Sequence, residues 1–136
     1  MLGQFHQEKK HVIWMFKNGS GGYWIENYVK GFTSEKRFLL SKQEMLGKWN
    51  DILVNVNWTH KEDGFFKVWV NNKLAYDYKG QTKSKGVKTY YKFGIYRSWI
   101  SKYKSYHKGK EVPTQVVYFD EVRAGKTKEK VIGNFK

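Results

Sequence analysis

A chain of 136 residues is long enough to bury one hydrophobic core and too short for two domains of ordinary size. Aromatic residues make up 18% of it, with six tryptophans and one proline, which excludes a disordered or low-complexity protein. The absence of cysteine excludes a disulfide framework and a thiolate metal site, and Lys+Arg 26 against Asp+Glu 12 gives a formal charge of +14.

A field of that sign gathers polyanions: nucleic acid, anionic lipid or acidic polysaccharide. The cations are lysines apart from Arg37, Arg97 and Arg123, and they are scattered, so part of the charge is ordinary solvated surface. No apolar run approaches the roughly 18–20 residues of a membrane span, so no membrane association is expected. Met1-Leu2-Gly3-Gln4 carries no basic region followed by an apolar stretch, so no signal peptide is expected and the compartment stays open.

In chain order, alternation of apolar and polar residues predicts strands over residues 3–7, 12–17, 23–29, 52–59, 65–71, 73–78, 90–97 and 116–124. Asn18 to Gly22 reads as a loop, Ser34 to Leu46 as a segment with a short helical turn, and Asn71-Asn72 as a tight hairpin, since Asn tolerates positive φ. Ser98 to Thr114 reads as a long loop of the kind that forms lids and binding edges, and the tail from Lys126 to Lys136 as a fraying end. Ile52, Val54, Val56 and Trp58 share one face of their strand and Leu53, Asn55 and Asn57 the other. Sheets with one apolar and one partly polar face belong in an all-β sandwich, expected here as a single domain over residues 1–136.

Two segments carry candidate chemistry. In a strand Tyr90, Lys92, Gly94 and Tyr96 share a face opposite Tyr91, Phe93 and Ile95, and Gln4 and His6 share a face opposite Phe5. If the two strands lie in one sheet, a Gln, a His, a Lys and two Tyr converge. His11, His60 and His107 have no partner at metal-ligand spacing, and no metal site, phosphate loop, dinucleotide motif or Ser-His-Asp set is legible. Tyr103 to Lys108 interleaves basic and aromatic residues as single-strand nucleic-acid binders do, but no RNA-recognition or OB-fold motif accompanies it, so nucleic acid is not the expected partner. Trp14, Trp24, Trp49, Trp58 and Trp69 are expected in the core, and Trp99, beside the long loop, is a candidate platform for a pyranose ring.

Tyr90-Tyr91-Lys92-Phe93-Gly94-Ile95-Tyr96 resembles the Tyr-Phe-Lys-x-Gly-x-Tyr signature of the jelly-roll polysaccharide lyases (alginate, glucuronan and heparin lyases), and Gln4-Phe5-His6 resembles their Gln-x-His motif. Lys48 to Ile52, Gly64 to Lys73 and Val116 to Arg123 are similar to elements of the heparin-lyase-like branch, so the resemblance runs from Gln4 to about Gly125. It implies a concanavalin A-like β-jelly-roll of two antiparallel sheets and cleavage of a uronate-containing polysaccharide by β-elimination. The alternative is a non-catalytic glycan-binding module of the same fold, on a virion or cell surface.

By the same resemblance Tyr96 is the catalytic tyrosine, acting as general acid and, in a syn elimination, as base, and His6 the catalytic histidine, acting as base or carboxylate neutraliser. A lyase must neutralise the uronate carboxylate, take the C5 proton and protonate the departing O4. Donors such as Gln4 can stabilise the enolate-like intermediate, and cations favour a phenolate. Gln4, Asn55, Tyr90, Lys92, Arg97 and Trp99 are the expected substrate contacts, with Asn57 beside Asn55 on the concave face. No cofactor is required, a structural calcium is left open, and relatives of this kind are mostly secreted or periplasmic. The family's Arg-x-Glu-x-Arg strand should lie upstream of Gln-x-His, whereas Ser34-Glu35-Lys36-Arg37 lies downstream. Ser98 stands for the signature's final glutamine, and Asn71-Asn72 for the hairpin's Asn-Gly. The expectation is a portion of a longer enzyme, a shortened relative, or a chain completed by a homo-oligomer or partner chain covering a sheet edge.

Overall fold

The computed structural model describes residues 1–33 and 35–132; Ser34, first residue of the segment expected to hold a helical turn, and residues 133–136 of the expected fraying tail lie outside the described residues. The chain divides into two compact units, Met1–Ser98 and Trp99–Lys136. The first unit holds eight strands: β1 (Gly3–Gln7), β2 (Val12–Gly19), β3 (Gly22–Asn27), β4 (Glu35–Leu40), β5 (Ile52–Asn57), β6 (Phe65–Val70), β7 (Lys73–Lys79) and β8 (Thr89–Phe93), with a short helix α1 (Lys42–Met45) between β4 and β5. They form a five-stranded sheet in the order β4-β3-β2-β1-β8 and a three-stranded sheet in the order β5-β6-β7, antiparallel throughout. The all-β sandwich expected from alternation is present.

The core lies between the sheets because each strand sends its alternate apolar residues to the same side. Phe5, Trp14, Phe16, Tyr23 and Ile25 from the larger sheet meet Phe66, Val68, Val70 and Tyr76 from the smaller one. Trp14 stacks on Phe66 at 4.0 Å between ring centroids, and Phe5 packs on Trp58 at 5.1 Å and on Phe66 at 5.6 Å. Burying each such side chain contributes about 1.5–3 kcal/mol, which is what holds the two layers together. Two buried polar side chains tie strand ends to the core: Thr82 Oγ1 donates to the Asn57 carbonyl and accepts from the Thr59 N–H, and Gln7 Oε1 accepts from the Ser84 N–H.

Local chemistry sets the turns. Asn71 (φ 49) and Asn72 (φ 65) are both left-handed, as a two-residue turn between β6 and β7 requires. Gly22 (φ +112) opens β3 where any Cβ would collide with the Leu40 carbonyl. The helical turn expected downstream of Ser34 is α1, opened by a capping box in which Ser41 Oγ accepts from the Glu44 N–H and Glu44 Oε2 accepts from the Ser41 N–H.

Several expectations are corrected. Glu35 to Leu40 is a strand, β4, whose charged residues suit the edge of a sheet. The strand expected over residues 90–97 ends as a regular element at Phe93, because Gly94 (φ +131) breaks the alternation. Of the tryptophans expected in the core, Trp14 is fully buried and Trp58 packs against the core, but Trp24 and Trp69 lie on the outer faces of the two sheets and Trp49 is exposed.

The second unit contains α2 (Ile100–Tyr106) inside the segment expected to be a loop, and α3 (Lys128–Ile132) inside the expected tail. Lys102 lies over the rings of Trp99 and Tyr106, and Tyr103 stacks on His107 at 4.0 Å. The strand expected over 116–124 is not formed: these residues are without regular structure, and Val116 and Tyr118 are strongly exposed. Alternation favours a strand only where a neighbouring strand takes up its hydrogen bonds.

Candidate active site

The two segments singled out by sequence are neighbours. β1 lies between β2 and β8, and its antiparallel register with β8 sets Gln4 opposite Lys92 and His6 opposite Tyr90. Phe5 and Gln7 turn into the sandwich, so Gln4 and His6 project from the outer face of the five-stranded sheet, and Tyr90 and Lys92 with them. The row through Gln4 continues across the whole sheet as Lys92, Gln4, Met15, Glu26 and Lys36. Four strand spacings of ~4.8 Å make that face about 19 Å wide, room for a short oligosaccharide.

His6 is held at one ring nitrogen. Its Nδ1 lies 2.7 Å from the Gln7 carbonyl oxygen and 3.2 Å from the Tyr90 hydroxyl, and its ring stacks on Tyr90 at 5.3 Å. A carbonyl oxygen can only accept, so Nδ1 carries the proton in the neutral ring and Nε2 keeps its lone pair. Lys92 Nζ sits 5.2 Å from the centre of the Tyr90 ring. Gln4, Lys92, Gly94 and Tyr96 line a recess of about 200 Å³. Beyond Gly94 the chain stays attached to the start of β1, with the Gly94 N–H donating to the Leu2 carbonyl (3.1 Å) and the Tyr96 N–H to that of Met1 (2.9 Å). Tyr96 is therefore anchored five residues from His6 along β1, about 17 Å at ~3.3 Å per residue.

The same face carries a cluster that sequence reasoning missed. Glu26, nearly buried, accepts from Lys17 Nζ (2.6 Å), the Tyr28 hydroxyl (2.6 Å) and Trp24 Nε1 (2.7 Å). Burial alone would raise its pKa, but the bonds from Lys17, Tyr28 and Trp24 outweigh it and hold the carboxyl below its ordinary range. Burial likewise lowers Lys17, but Glu26 and Tyr28 more than compensate and hold it above the usual lysine value. Lys36 Nζ lies over the rings of Trp24 (4.3 Å) and Phe38 (4.7 Å) on the adjacent edge. The available signal was Glu26 itself, a lone carboxylate in the aromatic run Gly22 to Tyr28 of a cationic chain.

The structure thus gathers Gln4, His6, Tyr90 and Lys92, with Tyr96 at the far end of the recess. Arg97 follows Tyr96 in the first unit, half-buried, and Trp99 belongs to the second unit. Asn55 is a correction. Its strand β5 is in the three-stranded sheet with Val54 and Val56 turned inward, so Asn55 and Asn57 project from the opposite surface of the sandwich. Alternation assigns a face but not a sheet. Among the described residues no three His, Cys, Asp or Glu side chains are grouped as a metal site, and no helix is long and apolar enough to cross a membrane.

No curated protein and no solved structure gives a significant match to the chain. A family model described as Polysaccharide lyase matches residues 1–123, and with that span and this β-sandwich the chain belongs to the polysaccharide lyase family.

Proposed function

We propose that this polysaccharide lyase domain acts on a uronate-containing glycan by β-elimination, on the outer face of its five-stranded sheet. The observation that carries the reading is the pair of cross-strand couples, Gln4 with Lys92 and His6 with Tyr90, two residues apart along each strand and on one face. Gln4 and Lys92 are donors for the uronate carboxylate, lowering the cost of charge developing there as C5 is deprotonated. His6 Nε2 takes the C5 proton, the C5–H electron pair becomes the C4=C5 bond, the C4–O4 bond breaks, and the Tyr90 hydroxyl protonates O4. C5 and C4, the carbon that bears O4, are neighbouring atoms of one ring, so acid and base must stand close together, which favours Tyr90 beside His6 over the more distant Tyr96. Tyr96 then serves as a substrate contact at the end of the recess.

Incubation with alginate, glucuronan and heparin, following the ultraviolet absorbance of the unsaturated uronate product, tests this. A rise is expected with one of them, falling about 10²–10⁴-fold in His6→Ala and in Tyr90→Phe and much less in Tyr96→Phe. Activity abolished by Tyr96→Phe but kept by Tyr90→Phe would return the acid to Tyr96. A flat trace with retained binding would establish instead the non-catalytic glycan-binding module.

A further inference from the structure

The outer face of the three-stranded sheet is chemically unlike a solvated surface. Its central strand, β6, turns Phe66, Val68 and Val70 into the core, yet sends Phe65, Lys67 and Trp69 outward. The register builds three rows across the sheet: Leu53, Trp69 and Leu74; Asn55, Lys67 and Asp77; Asn57, Phe65 and Lys79. Phe65 and Trp69, four residues apart on one strand and about 13 Å from one another along it, bracket a polar row. Of these, Asn55, Phe65, Lys67, Trp69 and Lys79 line an open groove of about 490 Å³ together with Glu62 and Asp63.

We infer that this groove is a second glycan site, on the face opposite Gln4 and His6, and that it takes an uncharged hexopyranose chain. Hexopyranoses present apolar C–H faces that pack on aromatic rings and hydroxyls that require donors and acceptors together, and aromatic walls with a few placed polar groups are how such ligands are held. Phe65 and Trp69 supply the rings, spaced for an extended chain; Asn55 supplies an amide donor and acceptor, and Glu62 and Asp63 supply acceptors for hydroxyl pairs. Charge selects the class. The lining lysines, Lys67 and Lys79, are matched by two carboxylates, and Lys67 is also paired with Asp77 at 3.2 Å, so the groove has no cationic excess for a polyuronate despite the chain's +14. Two surfaces of one domain therefore sort glycans by charge. This inference stands apart from the reaction assigned to the other face.

Calorimetric titration of the whole chain with hexasaccharides of an uncharged β-glucan, mannan and galactan, with an oligouronate alongside, tests it. Saturable binding of at least one uncharged oligomer at millimolar concentration or below is expected, weakened tenfold or more by Trp69→Ala and by Asn55→Ala and unchanged by His6→Ala. Asn55 is exposed, so its variant reports on the groove even if Trp69→Ala fails to fold. No saturable binding of any uncharged oligomer, binding lost in His6→Ala but kept in Asn55→Ala, or an oligouronate that binds more tightly and is the ligand weakened by Asn55→Ala, would each overturn it. Loss of turnover on the opposite face would leave these titrations unaffected.

Discussion

Replacing Glu26 by glutamine keeps the size and one carbonyl acceptor of the side chain but removes the charge that Lys17, Tyr28 and Trp24 all donate to. A hydrogen bond to a charged group is worth about 1.5–3 kcal/mol and a neutral one about 0.5–1.5, so three bonds each weakened by ~1 kcal/mol set an upper figure of ~3. Lys17, whose side chain is 29% exposed, recovers part of its loss from water, and the variant no longer desolvates a carboxylate, so the expected loss is about 2 kcal/mol at neutral pH. The pH dependence is the sharper signature. The folded-state pKa of Glu26 lies below its unfolded value, so its stabilisation is fully present above the unfolded pKa and is lost as pH falls through the folded one. Urea denaturation of the parent and of Glu26→Gln from neutral pH into the acid range should show a gap that closes below about pH 4, where unfolded glutamates take up protons. A gap of the same size at all pH values, or none at neutral pH, would mean that Glu26 is not held as an anion by these three donors.

Two further substitutions probe the frame that carries the site. Phe66→Ala removes a fully buried ring packed on Trp14 and Phe5, and chemical denaturation should show about 3–5 kcal/mol lost with little change in the slope against denaturant. Thr82→Val, nearly isosteric, strands the Thr59 N–H and the Asn57 carbonyl, and should cost about 1–3 kcal/mol by the same measurement.

What could be recognised in the chain follows from how local each signal is. β1, β2, β3 and the β5-β6-β7 run announce themselves by alternation, and the Asn71-Asn72 turn by its tolerance of positive φ, because these depend on neighbours in sequence. β4 escaped because Glu35, Lys36 and Arg37 look like a solvated turn; only its place at a sheet edge makes them acceptable in a strand. The run from Val116 misled in the opposite direction, since a strand pattern has force only with an adjoining strand. Within the site, the shared faces of Gln4 with His6 and of Tyr90 with Lys92 were legible because period two decides them. The register that sets Tyr90 rather than Tyr96 beside His6 is fixed by pairing between distant segments and by the break at Gly94, and nothing local encodes it. The same limit misplaced Asn55.

The couple of His6 with Tyr90 spans 84 residues and joins the first strand of the unit to the last. Closing so long a loop is entropically costly, and β8 is a five-residue edge strand held to one neighbour. Detachment of β8 would leave Trp14, Phe66 and the rest of the core in place while dispersing the site, so activity should vanish during mild heating before the core melts. During synthesis β1 to β7 emerge before β8, so the face proposed to act on a glycan is the last part of the sheet to be completed.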